Sequence, residues 1–391
     1  MNKQASFNLS FIADTPMKEE LERQETSDHF FDEILHTLSF ENAIVLPSLN
    51  YNEDGMLPGG IITCSGEYLE ESGYHEGNCC KYNFNKDLVE TDESTVVYVG
   101  FFLNCYGHGF TDNIKKIWYL STPEFEAIKK DVSIIYITER NEPMPNWQKE
   151  IFSLAGIDTS TWIHVSRITK YKKIIIPQNS IRSEKTKLSR FRSFSLYYRN
   201  TIDRIIQSVS NEGAIFEKIY FTRTANNIWW RECGEERIEK MFRKYGYQII
   251  SPESLSVKEQ IRLLKNCSFF ASTEGSCAHN SIFCKPYTNV TIIRKADYCN
   301  SYQCMIDVFA NLKVTYIDAH HSIRNNKQLP MSGPFYLYAS KELHNYFGES
   351  FYYPYWCDIL FWVYAKDKWY WYHKLKNILK RAKLIHNETA K

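Results

Sequence analysis

The chain has 391 residues, more than one hydrophobic core organises, because single cores stop growing near about 250–300 residues; two domains of ordinary size are expected. Its 47 Lys and Arg stand against 46 Asp and Glu, a balance that argues against a nucleic-acid-binding protein, which carries a basic excess. No apolar run of 18 residues occurs, so no membrane-spanning helix is expected.

In chain order, a helical pattern lies near 18–40, followed by a short strand at Ile44–Leu46. Residues 47–94 are irregular and rich in Gly, Asn and Glu, with Gly59-Gly60 and His75-Glu76-Gly77; such an excursion is a functional loop or an inserted hairpin. Strands follow at Thr95–Gly100, Ser133–Ile137, Trp162–Val165 and Lys173–Pro177, with helical patterns near 109–120 and 146–155. Residues 178–192 are polar and basic (Arg182, Lys185, Lys187, Arg190, Arg192) without apolar period until a helix near 194–210, and the domain junction is placed there.

The most regular stretch comes next. Lys218–Thr222 is an apolar, aromatic run read as a buried strand, ending in polar sequence that bears Arg223 and then Arg231. Ile238, Met241, Phe242 and Tyr245 form an amphipathic stripe stopped by Gly246. Tyr247–Ile250 is the next strand, and Ser256-Val257-Lys258-Glu259 is a capping box for a helix that faces Val257, Ile261 and Leu264 inward. Phe269–Ala271 is a third strand, Ser272–Ser276 turns into a helix running to about Cys284, and Asn289–Arg294 closes the ladder as a fourth strand. Alternation at this spacing implies a parallel sheet with helices on both faces.

In parallel α/β sheets ligands gather at the carboxyl ends of the strands. Those ends hold Arg223, whose fork matches phosphate oxygens, and the Glu274-Gly275-Ser276 turn, whose backbone N–H groups open a helix. Together they make an anion site. Upstream, His108 and Asp112 are four residues apart in Asn104-Cys105-Tyr106-Gly107-His108-Gly109-Phe110-Thr111-Asp112, so a helix puts both on one face, and either could accept the proton of an attacking hydroxyl.

The order Arg223, Arg231, Gly234-Glu235, Gly246-Tyr247, Glu259-Gln260, Glu274-Gly275-Ser276, Asn280, preceded by the 104–112 segment, resembles glycosyltransferase family 61 over about residues 100–295. Two positions depart from the family pattern: Gly234 stands where Asn is usual, and Glu274 where His is usual. A carboxylate repels a diphosphate, so Glu274 is read toward sugar or ribose hydroxyls or the acceptor.

The architecture read from this is α/β, with two facing Rossmann-like domains (the GT-B architecture): an acceptor-side domain over 1–180, a nucleotide-sugar domain over 181–330, and a helical tail over 331–391. The resemblance implies an inverting transferase using a nucleotide-sugar donor, most often a UDP-sugar, and a glycan or glycolipid acceptor such as a bacterial capsule, O-antigen or lipooligosaccharide precursor. Asp112, then His108, with Glu274 as a further possibility, are the candidate bases. Arg223, Arg231, Glu274, Gly275, Ser276 and Asn280 are the candidate donor-binding residues. With cationic side chains and a helix end available and no Asp-x-Asp motif, no metal and no cofactor are expected. No Gly-rich GxGxxG turn occurs, which argues against a dinucleotide-dependent oxidoreductase or epimerase. A non-catalytic glycan-binding or scaffold protein on the same fold stays open, and Gly234 and Glu274 are the residues in its favour.

Eleven cysteines, an odd count with Cys79 and Cys80 adjacent and no Cys-x-x-Cys pair, read as reduced thiols. The first apolar stretch is too short for a signal peptide or anchor, so a cytoplasmic location is expected. Residues 351–391 carry eight Lys or Arg against three Asp or Glu, a net charge near +5, with Trp356, Trp362, Trp369 and Trp371. The 356–385 part reads either as a contact with the cytoplasmic membrane surface or as aromatics packed back on the first domain.

Overall fold

The computed structural model describes residues 5–53, 55–74, 78–185, 190–226, 232–321 and 335–350, with seven tail residues between 371 and 379. Two sheets organise them. The second, six-stranded and parallel throughout, runs in the order Ser6–Phe11, Lys313–Asp318, Asn289–Arg294, Phe269–Thr273, Lys218–Phe221, Gln248–Ile250. Four of these strands were legible as apolar runs, three of them inside the sheet, where a strand covered on both faces has no polar side to show. The capping box forms as expected, with Ser256 and Glu259 bonded reciprocally at the start of the helix Val257–Leu264.

The first sheet is mixed, in the order Gly60–Ile62, Ile44–Leu46, Thr169–Pro177, Glu90–Phe102, Val132–Thr138, Ile163–His164, with Thr37–Glu41 also on Thr169–Pro177. The last four strands of that order are parallel; Thr37–Glu41 and Ile44–Leu46 run antiparallel to Thr169–Pro177. Part of the 47–94 excursion joins this sheet. Leu57, Ile61 and Cys79 are buried, and Tyr98 donates its hydroxyl proton to the Ser72 carbonyl at 2.7 Å. His75–Gly77 lie outside the described residues.

Several elements differ from expectation. The 18–40 pattern is a helix only over Thr15–Thr26; beyond it, Ser27 Oγ bonds back to Arg23 O and Asp28 Oδ1 caps the Phe30 N–H, so side chains turn the chain out. The 109–120 pattern is broken into a helical turn at Tyr106–Gly109 and 3-10 turns at Asp112–Ile114 and Ile117–Ser121. Here buried side chains take over the backbone partners. Asn113 bonds both Leu103 N and Leu103 O, and Lys115 Nζ holds the carbonyls of Gly73 and Tyr74. The polar junction contains an antiparallel hairpin, Ile181–Lys185 with Arg190–Phe194.

The division at residue 180 leaves the N-terminus with the first domain, yet Ser6–Phe11 pairs with Lys313–Asp318 at the edge of the second sheet. Residues 335–350 also join that sheet's unit: Phe335–Tyr336 pairs with Glu232–Cys233, and Tyr346 shares a hydrogen bond with Thr291 at 3.0 Å. Each unit has a hydrophobic cluster of its own, and a third runs across both, in which Phe102, Phe110 and Ile114 meet Ile261, Ile282 and Phe283, with the Phe110 and Phe283 rings edge-to-face at 4.8 Å. Trp356, Trp362 and Trp369 lie outside the described residues; Trp371, Leu375 and Ile378 are exposed. No helix among the described residues is long and apolar enough to cross a membrane.

Candidate active site

Arg223 leaves the strand Lys218–Phe221 at a position fixed by Glu235. The buried Glu235 carboxylate accepts the Tyr220 hydroxyl at 2.9 Å and the Arg223 backbone N–H at 3.3 Å. Glu235 opens the helix Glu235–Lys244, whose N-cap Gly234 has φ 93°. A Cβ at Gly234 would run into the Leu337 carbonyl, which accounts for glycine where the family usually has asparagine. Gly234→Ala is expected to cost about 2–4 kcal/mol of stability, read from chemical denaturation; an unchanged midpoint would show that the Leu337 segment is free to move aside.

The two sequence segments that carry the family pattern meet across the units. Gly107 packs so closely on the Ser276 turn that a Cβ there would lie 2.8 Å from Ser276 Oγ and 3.0 Å from His279 Nδ1. Beside it, Tyr106 donates to Gln260 Oε1 at 2.9 Å and reaches Asn280 Oδ1 at 3.4 Å. Glu150 of the first unit accepts the N–H groups of Val257 and Lys258 at 3.1 and 2.9 Å, a carboxylate at a helix N-terminus.

These contacts enclose a cavity of about 490 Å³ whose walls include Tyr106, Trp147, Arg223, Glu253, Ser276 and Asn280. Pro252, Leu255 and Val257 add apolar wall. An apolar, aromatic pocket with few convergent polar groups is the usual form of a small-ligand site. Arg223, Ser276 and Asn280 are thus brought together as the sequence suggested. Asn280 is fully buried and bonds the carbonyls of Ser276 and Cys277, so it shapes the turn. The helix at Ser276–His279 is a single turn continued by a 3-10 turn; its dipole is small, and its unpaired first N–H groups are what it offers an anion. Arg231 lies outside the described residues.

His108 and Asp112 do not line this cavity. They stand with Tyr302, His279 and Arg192 beside the Gly107–Ser276 contact. Although the helix expected to align them is broken, His108 Nδ1 is 2.6 Å from Asp112 Oδ2. Asp112 also accepts Thr111 Oγ1 at 3.1 Å and the Tyr302 hydroxyl at 2.5 Å. Its side chain is 3% exposed against 27% for His108, so the imidazole is the accessible member. An Nδ1–H given to Asp112 leaves Nε2 as the basic nitrogen. Burial works to lower the His108 pKa, but the hydrogen bond and charge of Asp112 outweigh it, and the net direction is upward from 6.5. His279, by contrast, is lowered to about 4 by burial and by His108.

Glu274 is buried and does not line the cavity. Burial raises its pKa against the opposing charges of Arg294, Lys295 and His320, and among the described residues its Oε2 has no hydrogen-bond partner. Sequence reasoning did not single out Tyr106 apart from its segment, nor Trp147, Arg192 or Tyr302. Nothing local marks them, since each acts through a contact distant in sequence. Among the described residues no group of three or more His, Cys, Asp or Glu is disposed to hold a metal ion.

Parallel strand ends thus place an arginine and a backbone turn beside an aromatic cavity, next to a His–Asp pair, in a mixed α/β fold. The Glycosyltransferase 61 family model matches residues 28–291, and the chain belongs to that family; it is a glycosyltransferase. A search of curated proteins finds no match. Among solved structures, it is similar to the bacterial iron-containing dodecameric glycosyltransferase TibC from enterotoxigenic E. coli H10407, at 12% identity over 72% of this chain and 84% of that one, with a TM-score of 0.25. A second structure, the dodecameric iron-containing heptosyltransferase TibC in complex with ADP-D-beta-D-heptose, shows 10% identity over 74% and 86% of the two chains, with a TM-score of 0.26. Scores of this size do not establish a common fold.

Proposed function

We propose that the chain is an inverting glycosyltransferase that moves a sugar from a nucleotide-sugar, a UDP-sugar first, to a hydroxyl of a bacterial surface glycan precursor of the capsule, O-antigen or lipooligosaccharide kind. The docking of the Cys105–Asp112 segment on the Gly275–Asn280 turn carries this reading, because it sets an acid–base pair beside an anion-binding turn. The two sheets are read as two facing Rossmann-like domains. The nucleotide would occupy the cavity, with its diphosphate along Gly275–Ser276 and Arg223.

His108 Nε2 takes the acceptor hydroxyl's proton while Asp112 holds the imidazolium that forms, a division of labour supported by their unequal exposure. The acceptor oxygen bonds the anomeric carbon from the face opposite the diphosphate. The bond from that carbon to the phosphate oxygen breaks, and its electron pair leaves with the nucleoside diphosphate. Arg223 and the turn's N–H groups stabilise the growing charge. Asp112 as the direct base ranks second, and Glu274, held away from the cavity wall, third.

Cationic side chains are proposed to replace a divalent metal, so turnover should persist in a chelator; loss restored by manganese would overturn this. The 356–385 tail is proposed to rest on the cytoplasmic membrane surface. The deciding experiment is binding and slow hydrolysis across UDP-, GDP-, CMP- and dTDP-sugars. One bound and hydrolysed donor would support the reading and name the donor, whereas no binding to any would favour a non-catalytic glycan-binding protein.

A further inference from the structure

Tyr302 belongs to the helix Ser301–Phe309 of the second unit, yet its hydroxyl donates to Asp112 Oδ1 of the first at 2.5 Å. Asn300 fixes the start of that helix by accepting the N–H groups of Tyr302 and Gln303 at 3.1 and 3.3 Å. The Tyr302 ring is buried, with the Arg192 guanidinium 4.0 Å from its centroid on one side and the His108 ring edge-on at 6.0 Å. With Oδ1 taken by Tyr302, Asp112 turns Oδ2 to His108 Nδ1. The carboxylate is therefore aimed by a residue 190 positions away in the sequence.

We propose that Tyr302 is a positioning residue for the His108–Asp112 pair, holding the Asp112 carboxylate in register across the domain boundary so that the pair is complete only when the two units are docked. This rests on the reading of His108 as the base, but its test does not. The charged and titratable groups facing His108 are Asp112 and Cys105 from its own segment, Arg192 from the hairpin, and His279 and Tyr302 from the second unit. Asp112 is further faced by Tyr74 and Tyr198. Removing the Tyr302 donor leaves more negative charge on Asp112, which binds the His108 proton more tightly.

The test is Tyr302→Phe, which keeps the ring beneath Arg192, with the His108 titration followed by NMR of histidine-labelled full-length protein. The His108 pKa should rise, the acid limb of the kcat profile should move to higher pH with it, and kcat should fall about tenfold with the donor KM unchanged. Should Tyr302→Phe not fold, 3-fluorotyrosine at position 302 is the second variant. Its more acidic phenol donates more strongly, and the shift should reverse sign. Coincident His108 titrations for wild type and variant would overturn the proposal. Wild-type turnover in His108→Gln would instead overturn the assignment of the base, and the titration would still decide the role of Tyr302.

Discussion

Replacing His108 with glutamine is expected to lower kcat by about 10²–10⁴-fold while leaving donor affinity intact. The imidazole is the exposed member of the pair, and the donor cavity is walled by other residues. The pH dependence follows from the sign of the shift. His108 must be neutral to accept a proton, and Asp112 sets its pKa above 6.5. Turnover should therefore rise with pH through an apparent pKa above that value and fall as His108 is protonated below it. Asp112→Asn removes the charge and weakens the hydrogen bond that raise the pKa, leaving burial and Arg192 to lower it against Cys105 alone. Its residual turnover should be reduced about as much as in His108→Gln, with the acid limb displaced to lower pH. Initial rates across the neutral range, with donor binding measured by calorimetry, check both. An unchanged kcat in His108→Gln with a dead Asp112→Asn would make Asp112 the direct base. Loss of donor binding in either would move the pair into the donor site.

The strands that the sequence declared most plainly are those inside the second sheet. Lys218–Phe221 and Asn289–Arg294 sit among covered strands, and their apolar runs carry no polar alternation to confuse them. Ser6–Phe11 is an edge strand in which Leu9 is the buried position, so its pattern looks like any polar N-terminus. The 3-10 segment after Gly109 fails for a different reason. Its apolar residues are buried all round rather than on one stripe, and helical period then says nothing about where the chain turns. At the site, residue chemistry was legible but adjacency was not. His108, Asp112, Arg223, Ser276 and Asn280 declare themselves by type and order. The sequence does not show that Gly107 would touch Ser276, or that Arg223 would line the cavity while His108 stands outside it. Tyr302 was invisible because a tyrosine in an apolar helix reads as core, which it also is.

Arg223→Ala is expected to weaken donor binding and kcat/KM together, by about 10²–10³-fold. Among the described residues lining the cavity Arg223 is the cation, and Glu150 and Glu253 are the anions. Both carboxylates hold partners, Glu150 the N–H groups of Val257 and Lys258 and Glu253 the Ser251 hydroxyl, and both remain charges that a diphosphate would meet. Without Arg223 the two carboxylates on the wall are left with no cation among the described lining residues, and their repulsion adds to the lost ion pair. Arg223→Lys keeps the charge but not the planar fork, so it should recover part of the binding and less of the rate. The fold should survive both changes, because the hydrogen bond from the residue-223 backbone N–H to Glu235 is kept in each. Titration of UDP and of the intact sugar nucleotide separates the contributions. A loss equal for the two places Arg223 at the diphosphate; a loss confined to the sugar nucleotide places it at the transferred sugar. Wild-type affinity in Arg223→Ala would remove the cavity from the donor path and leave the turn at Gly275–Ser276, beside His108, as the part of the site that holds the leaving group.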